Sequence, residues 1–183
     1  MKNRLLFVAL ILLVATVACG GGGTAPQEDT STDVQPAGGS LDFTQDPNFG
    51  GVELAAGFTP DPQMVSITSG GAVDVDTLGL GGGCTGYATS APDFRILFTG
   101  PSNNLRIFFV SDGGEDATLI VNDPSGAWLC NDDAPSGGWD PQVDVQNASD
   151  GQYDIWVGSY SSGEFIAGTL YITELNYTPI NLP

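Results

Sequence analysis

The sequence predicts an all-β protein, an antiparallel β-sandwich of jelly-roll-like form, and three observations carry that prediction. From about position 48 onward, short runs of β-branched and aromatic residues recur, separated every eight to twelve positions by Gly, Pro, Asn, Asp or Ser. The chain holds 26 glycines and 12 prolines among its 183 residues, a density of breakers that helix interiors do not tolerate. No segment after the first eighteen residues keeps apolar side chains at the 3.6-residue spacing of an amphipathic helix, so helices should be nearly absent.

Taken in chain order, the predicted strands are Val52 to Phe58, Gln63 to Thr68, Ala72 to Asp76, Asp93 to Thr99, Leu105 to Ser111, Thr118 to Asn122, Ala127 to Cys130, Gln142 to Gln146, Gln152 to Ser159 and Glu164 to Leu175. Phe94, Ile96 and Phe98 alternate with Asp93, Arg95 and Leu97, so one face of that strand is suited to burial and the other to water. Leu105 to Val110 is apolar on both faces, which places it centrally in a sheet. Asn122-Asp123-Pro124-Ser125-Gly126 has turn chemistry between two strands and predicts a hairpin. Strands of this number and length imply two packed sheets. Asp150-Gly151-Gln152-Tyr153 leaves two readings open, a tyrosine corner or a plain turn before a strand aromatic, and in both Tyr153 is structural.

Upstream of the strands the chain changes character twice. Lys2 and Arg4 precede an apolar run from Leu5 to Ala15 that reaches Cys19 through Thr16, Val17 and Ala18, a secretory signal layout covering residues 1–18. Leu5 to Ala18 is too short to span a bilayer, which takes about 20 apolar residues. Val17, Ala18, Cys19 and Gly20 resemble the lipobox of bacterial lipoproteins, with Thr16 standing where Leu, Val or Ile is usual. The resemblance implies cleavage before Cys19 and acylation of its thiol, a membrane anchor that needs no spanning helix. Residues 19–47 are rich in Gly, Ser, Thr and Asp with few large apolar side chains, and are expected to form a flexible tether. Residues 48–183 then make one β-sandwich domain.

Charge and cysteine content narrow the function. Lys2 and Arg4 leave with the leader, so Arg95 and Arg106 face 22 acids and the mature chain carries a formal charge of −20. Such a surface repels phosphate backbones, which excludes nucleic acid, and favours cations and basic proteins. With Cys19 assigned to acylation, Cys84 and Cys130 remain as an even pair in an oxidising compartment and are expected to form a disulfide. The chain has no histidine, so neither a Ser-His-Asp nor a Cys-His arrangement exists, and the usual zinc ligand sets are missing. The glycine runs at 20–23 and 81–83 are not followed by Gly-Lys-Ser/Thr, so neither is a phosphate-binding P-loop. Paired carboxylates remain as the one route to catalysis, and no motif singles out a pair.

Five short segments, read together, resemble the bacterial pre-peptidase C-terminal domain family. They are Ala91-Pro92-Asp93, Asp116-Ala117-Thr118-Leu119-Ile120-Val121-Asn122, Pro124-Ser125-Gly126, Cys130-Asn131-Asp132-Asp133, and Gly151 through Tyr160. Ala117 and Ser125 stand where Thr and Asp are more usual in that family. The resemblance covers about Cys84 to Ile172 and implies a non-catalytic sandwich, found as an accessory of secreted hydrolases or as a free-standing envelope protein.

Candidate sites lie in loops. Asp112-Gly113-Gly114-Glu115-Asp116 and Asn131-Asp132-Asp133 with Asp140 supply clustered oxygens, making Asp112, Asp116, Asp132, Asp133 and Asp140 candidate calcium ligands; the same residue types are also ordinary solvated turns. Asp74 and Asp76, two apart on an expected strand, would add to them. Trp139 and Tyr160 stand at loop positions, where flat rings stack on sugars or anchor a protein partner, or else pack over the sandwich ends. The expectation is therefore a lipid-anchored protein of the bacterial envelope, at the outer membrane or cell surface. Its acidic sandwich serves as a non-catalytic binding or adhesion module for an extracellular polymer or protein, with calcium as the one candidate cofactor. The alternative is a structural or accessory subunit that self-assembles or stabilises a secreted hydrolase.

Overall fold

A computed structural model describes residues 39–183. The expected leader, the acylation position Cys19 and the tether as far as residue 38 lie outside the described residues. The strands are β1 (Gly51–Ala55), β2 (Gln63–Thr68), β3 (Val73–Asp74), β4 (Tyr87–Ala88), β5 (Phe94–Thr99), β6 (Ser102–Ser111), β7 (Ala117–Asn122), β8 (Trp128–Asn131), β9 (Gln142–Ala148), β10 (Gly151–Ser159) and β11 (Ala167–Thr173). They form a β-sandwich. One sheet runs β1-β5-β10-β4-β3, with β7 pairing β10 and β8 beyond it; the other runs β2-β11-β6-β9.

Each of the ten predicted strands overlaps an observed one, and the departures in their bounds have local causes. Ala72 to Asp76 is not one strand: β3 ends at Asp74, and a single 3-10 turn takes Val75–Leu78. Asp74 and Asp76 therefore do not share a strand face, and Asp76 instead accepts from the Thr85 hydroxyl at 2.9 Å and the Gly86 N–H at 3.3 Å. The last strand starts at Ala167, not Glu164, and β4 was not foreseen because two residues show no periodicity. Pairing is antiparallel except between β1 and β5, where Val52 sits beside Ile96 in parallel register. The chain leaves β1 for the opposite sheet before returning to β5, so no hairpin dictates their relative direction.

Alternation explains the layers. Ile96, Phe98, Ile107, Phe109, Leu119 and Ile155 point between the sheets and form the main core with Leu170 and Ile172. The intervening residues of β7 and β10, Ile120 and Trp156, face the other way and are also fully buried. A second cluster covers them: Leu41, Val73, Val75, Ala88 and the Cys84–Cys130 disulfide, with Trp128 tilted over Trp156 at 5.4 Å. That need for cover explains why residues 41–47, placed in the tether by composition, lie on the domain. Leu41 is buried, the Asp42 N–H donates to the Ser90 carbonyl at 2.8 Å, and the Arg95 guanidinium holds the carbonyls of Phe43 (2.6 Å) and Gln45 (3.0 Å). At the other terminus Arg106 donates to the Tyr177 carbonyl at 2.9 Å. Each arginine also pairs with an acid, Arg95 with Asp154 at 2.6 Å and Arg106 with Asp144 at 2.5 Å.

The crossing from β9 in one sheet to β10 in the other is fastened by Tyr153. Its phenol donates to the Ser149 carbonyl at 2.9 Å and accepts the Ser149 N–H at 3.1 Å, the geometry of a tyrosine corner. The hairpin after β7 is closed by Asp123, whose Oδ1 accepts from the N–H groups of Ser125 and Ala127, both at 2.9 Å.

Candidate functional site

Three connections meet at one end of the sandwich: residues 112–116 between β6 and β7, 132–141 between β8 and β9, and 160–166 between β10 and β11. Hydrogen bonds stitch them. The Tyr160 N–H donates to the Asp116 carbonyl at 3.0 Å, the Ala117 N–H to the Trp139 carbonyl at 3.4 Å, and the Asp112 N–H to the Ala167 carbonyl at 2.9 Å. Trp139 and Tyr160 thus flank the same dipeptide, Asp116-Ala117, from opposite sides. Both rings stand in water, Trp139 61% exposed and Tyr160 50%, so neither packs down over the sandwich.

The five candidate calcium ligands divide. Asp140 is engaged in the loop, its Oδ1 accepting the Ser111 N–H at 2.8 Å and its carbonyl the Ala134 N–H at 3.0 Å. Asp132 accepts the N–H of its neighbour Asp133 at 3.1 Å. Asp116 is pushed above the usual carboxylate range, first by burial and then by the negative charges of Asp133, Asp132 and Glu164, so these four acids share a field. Asp112 is exposed, its N–H donating to the Ala167 carbonyl. Among the described residues no three acids stand in an arrangement that fits a metal ion. The calcium expectation therefore finds its acids in the same loops but not as a formed cage.

A small open recess marks the middle loop. Asp133, Ala134, Gly137, Gly138 and Trp139 line a volume of about 450 Å³. The turn beneath it is closed by the Gly137 N–H donating to the Ala134 carbonyl at 2.8 Å. Gly137 and Gly138 have φ of +97° and +96°, values that side-chain-bearing residues avoid, so the sequence Ser136-Gly137-Gly138-Trp139 is what permits this backbone.

Three residues of interest escaped the sequence. Glu164 and Phe165 were read into the final strand by alternation, yet both lie in the third loop and Phe165 is 71% exposed. Asp93, read as the wet end of a strand, is 1% exposed. Its Oδ2 accepts the Val157 N–H at 2.7 Å and its Oδ1 the Asn48 amide at 3.1 Å, and burial without a cation pushes its carboxyl up to about 6. A perturbed buried carboxylate is the usual mark of an active site. Here both oxygens serve the fold: the β5–β10 register ends at Phe94 and Ile155, and the Asp93 side chain supplies the acceptor for the Val157 N–H beyond it.

No family model matches this chain, and no curated protein matches it. Among solved structures it is similar to the crystal structure of the pre-peptidase C-terminal domain of collagenase from Bacillus anthracis, with 15% sequence identity and a TM-score of 0.36 over 70% of this chain and 98% of that one.

Proposed function

We propose that this protein is a lipid-anchored component of the bacterial envelope whose acidic sandwich works as a non-catalytic binding module, with the three-loop end as its contact surface. The observation that carries the reading is the pair of water-exposed rings, Trp139 and Tyr160, held on either side of Asp116-Ala117 by main-chain hydrogen bonds. Large rings presented on fixed backbone lose little conformational freedom on binding, and they bury much apolar area when covered. The chemistry around them suits recognition more than turnover: the chain has no imidazole, and Asp93, whose carboxyl is pushed up to about 6, is closed inside the fold.

Calcium is a separate part of this reading, and a calorimetric melting temperature that rises by several degrees in excess calcium would support it, whereas identical curves would remove it. The membrane anchor is tested by intact-mass measurement of membrane-extracted protein, which reports acyl chains on Cys19. The binding surface is tested by retention of the full chain on isolated envelope fractions, compared with the Trp139→Ala/Tyr160→Ala double variant. Retention that falls sharply while the melting temperature holds supports the loop end as the contact surface. Equal retention places the contact elsewhere and favours the accessory or self-assembling alternative, which concentration-dependent size exclusion would reveal.

A further inference from the structure

The recess beside Trp139 has a definite chemical character. Trp139, 61% exposed, and Asp133, also exposed, both line it, and the Asp133 carboxylate accepts no hydrogen bond among the described residues. The remaining lining is small: Ala134 is buried, and no heavy atom lies within 4 Å of where a Cβ on Gly137 or Gly138 would stand. Backbone and glycine therefore leave the ring and the carboxylate as the groups that meet a visitor. Asp132 adjoins, and Asp116 and Glu164 belong to the same field.

No cation of the described domain is free to fill that place. Arg95 is held by Asp154 and the carbonyls of Phe43 and Gln45; Arg106 is held by Asp144 and the Tyr177 carbonyl. An aromatic face next to an unopposed carboxylate attracts an alkylammonium or guanidinium group twice, through the ring quadrupole and through the charge. An anion is repelled by the same groups. A neutral sugar would stack on the indole but gain nothing from the unbalanced charge around it.

We propose that the Trp139–Asp133 recess seats a lysine or arginine side chain projecting from a basic partner protein. The assignment rests on the reading of the three-loop end as the contact surface and names the class of partner. Asp133 supplies the counter-charge, the Trp139 ring covers the aliphatic stem and the face of the cation, and the acids around them draw a basic segment in.

The test is titration calorimetry of the full chain with a decapeptide of alternating glycine and lysine, with the same peptide acetylated on every lysine, and with cellohexaose. The lysine peptide is expected to bind, to weaken as salt rises, and to weaken about tenfold with Trp139→Ala, most of the loss being restored by Trp139→Phe. Asp133→Asn should weaken it severalfold, and the acetylated peptide should not bind. Equal affinity for wild type and Trp139→Ala would mean a general attraction to the acidic surface and overturn the assignment. Binding of cellohexaose without the lysine peptide would overturn it in favour of a polysaccharide. Loss of envelope retention in the Trp139/Tyr160 double variant, with no lysine-peptide binding to wild type, would sink the cation assignment while leaving the contact surface in place. Trp139 is exposed, so its replacement should leave the melting temperature unchanged and any loss of binding readable as such.

Discussion

Asp93 shows how far a single residue's role depends on chain distant in sequence. Its carboxylate is the acceptor of the N–H of Val157, 64 positions later, beyond the point where the β5–β10 register ends. Nothing in Ala91-Pro92-Asp93 announces this, whereas Trp139 and Tyr160 were legible because glycine, proline and serine around them mark loops. Asp140 was legible as a loop acid but not as one already occupied by the Ser111 N–H. The carboxyl of Asp93 is raised from 3.8 to about 6, so the folded state holds its proton more tightly than the unfolded chain does. Its contribution to stability is therefore fully present below pH 3.8 and is lost as pH rises through about 6, by on the order of 3 kcal/mol. Asp93→Asn keeps an acceptor for Val157 and removes the charge. Urea melts of the two proteins between pH 3.5 and 7 should differ by that slope, and parallel curves would refute the buried, proton-holding carboxyl.

At the scale of elements, strands with clear alternation were legible and those that answer to neighbours were not. Residues of β5 and β10 announce their inner faces in sequence. The two-residue strand β4 exists because Ser159 at the end of β10 pairs with Tyr87. The 3-10 turn after β3 places Val75 over Trp156 rather than extending a strand, which alternation through Ala72 to Asp76 conceals. The tyrosine corner was visible as a motif, and its hydrogen bonds decide between the readings left open. Tyr153→Phe removes both contacts with Ser149 while keeping the ring among Phe98 and its neighbours. The variant should keep the same fold and lose about 1–2 kcal/mol in equilibrium denaturation. A loss indistinguishable from zero would show that the crossover holds without the phenol.

For the molecule as a whole, a second, smaller cluster on the outer face of the larger sheet adds to the main core between the sheets. The Cys84–Cys130 disulfide lies in that cluster and was legible from cysteine parity alone. Its closed segment of 46 residues removes unfolded-state entropy worth about 4 kcal/mol in the chain-entropy model. The Cys84→Ser/Cys130→Ser double variant should lose stability of that order in calorimetry, with the main core between the sheets remaining apolar and intact. The loop end was legible as separate loops; that they meet is a property of topology, since β6, β8 and β10 all finish on the same side.

The arrangement of the arginines also bears on survival outside the cell. Between residues 39 and 183 a trypsin-like protease has two bonds to attack, after Arg95 and after Arg106, and both lie inside paired strands. Fraying at either terminus exposes neither bond, so digestion must wait for the sandwich itself to open. Cleavage by trypsin should then track global unfolding across a denaturant series, and the side chains that clasp the two ends of the domain would double as its protection against proteolytic nicking.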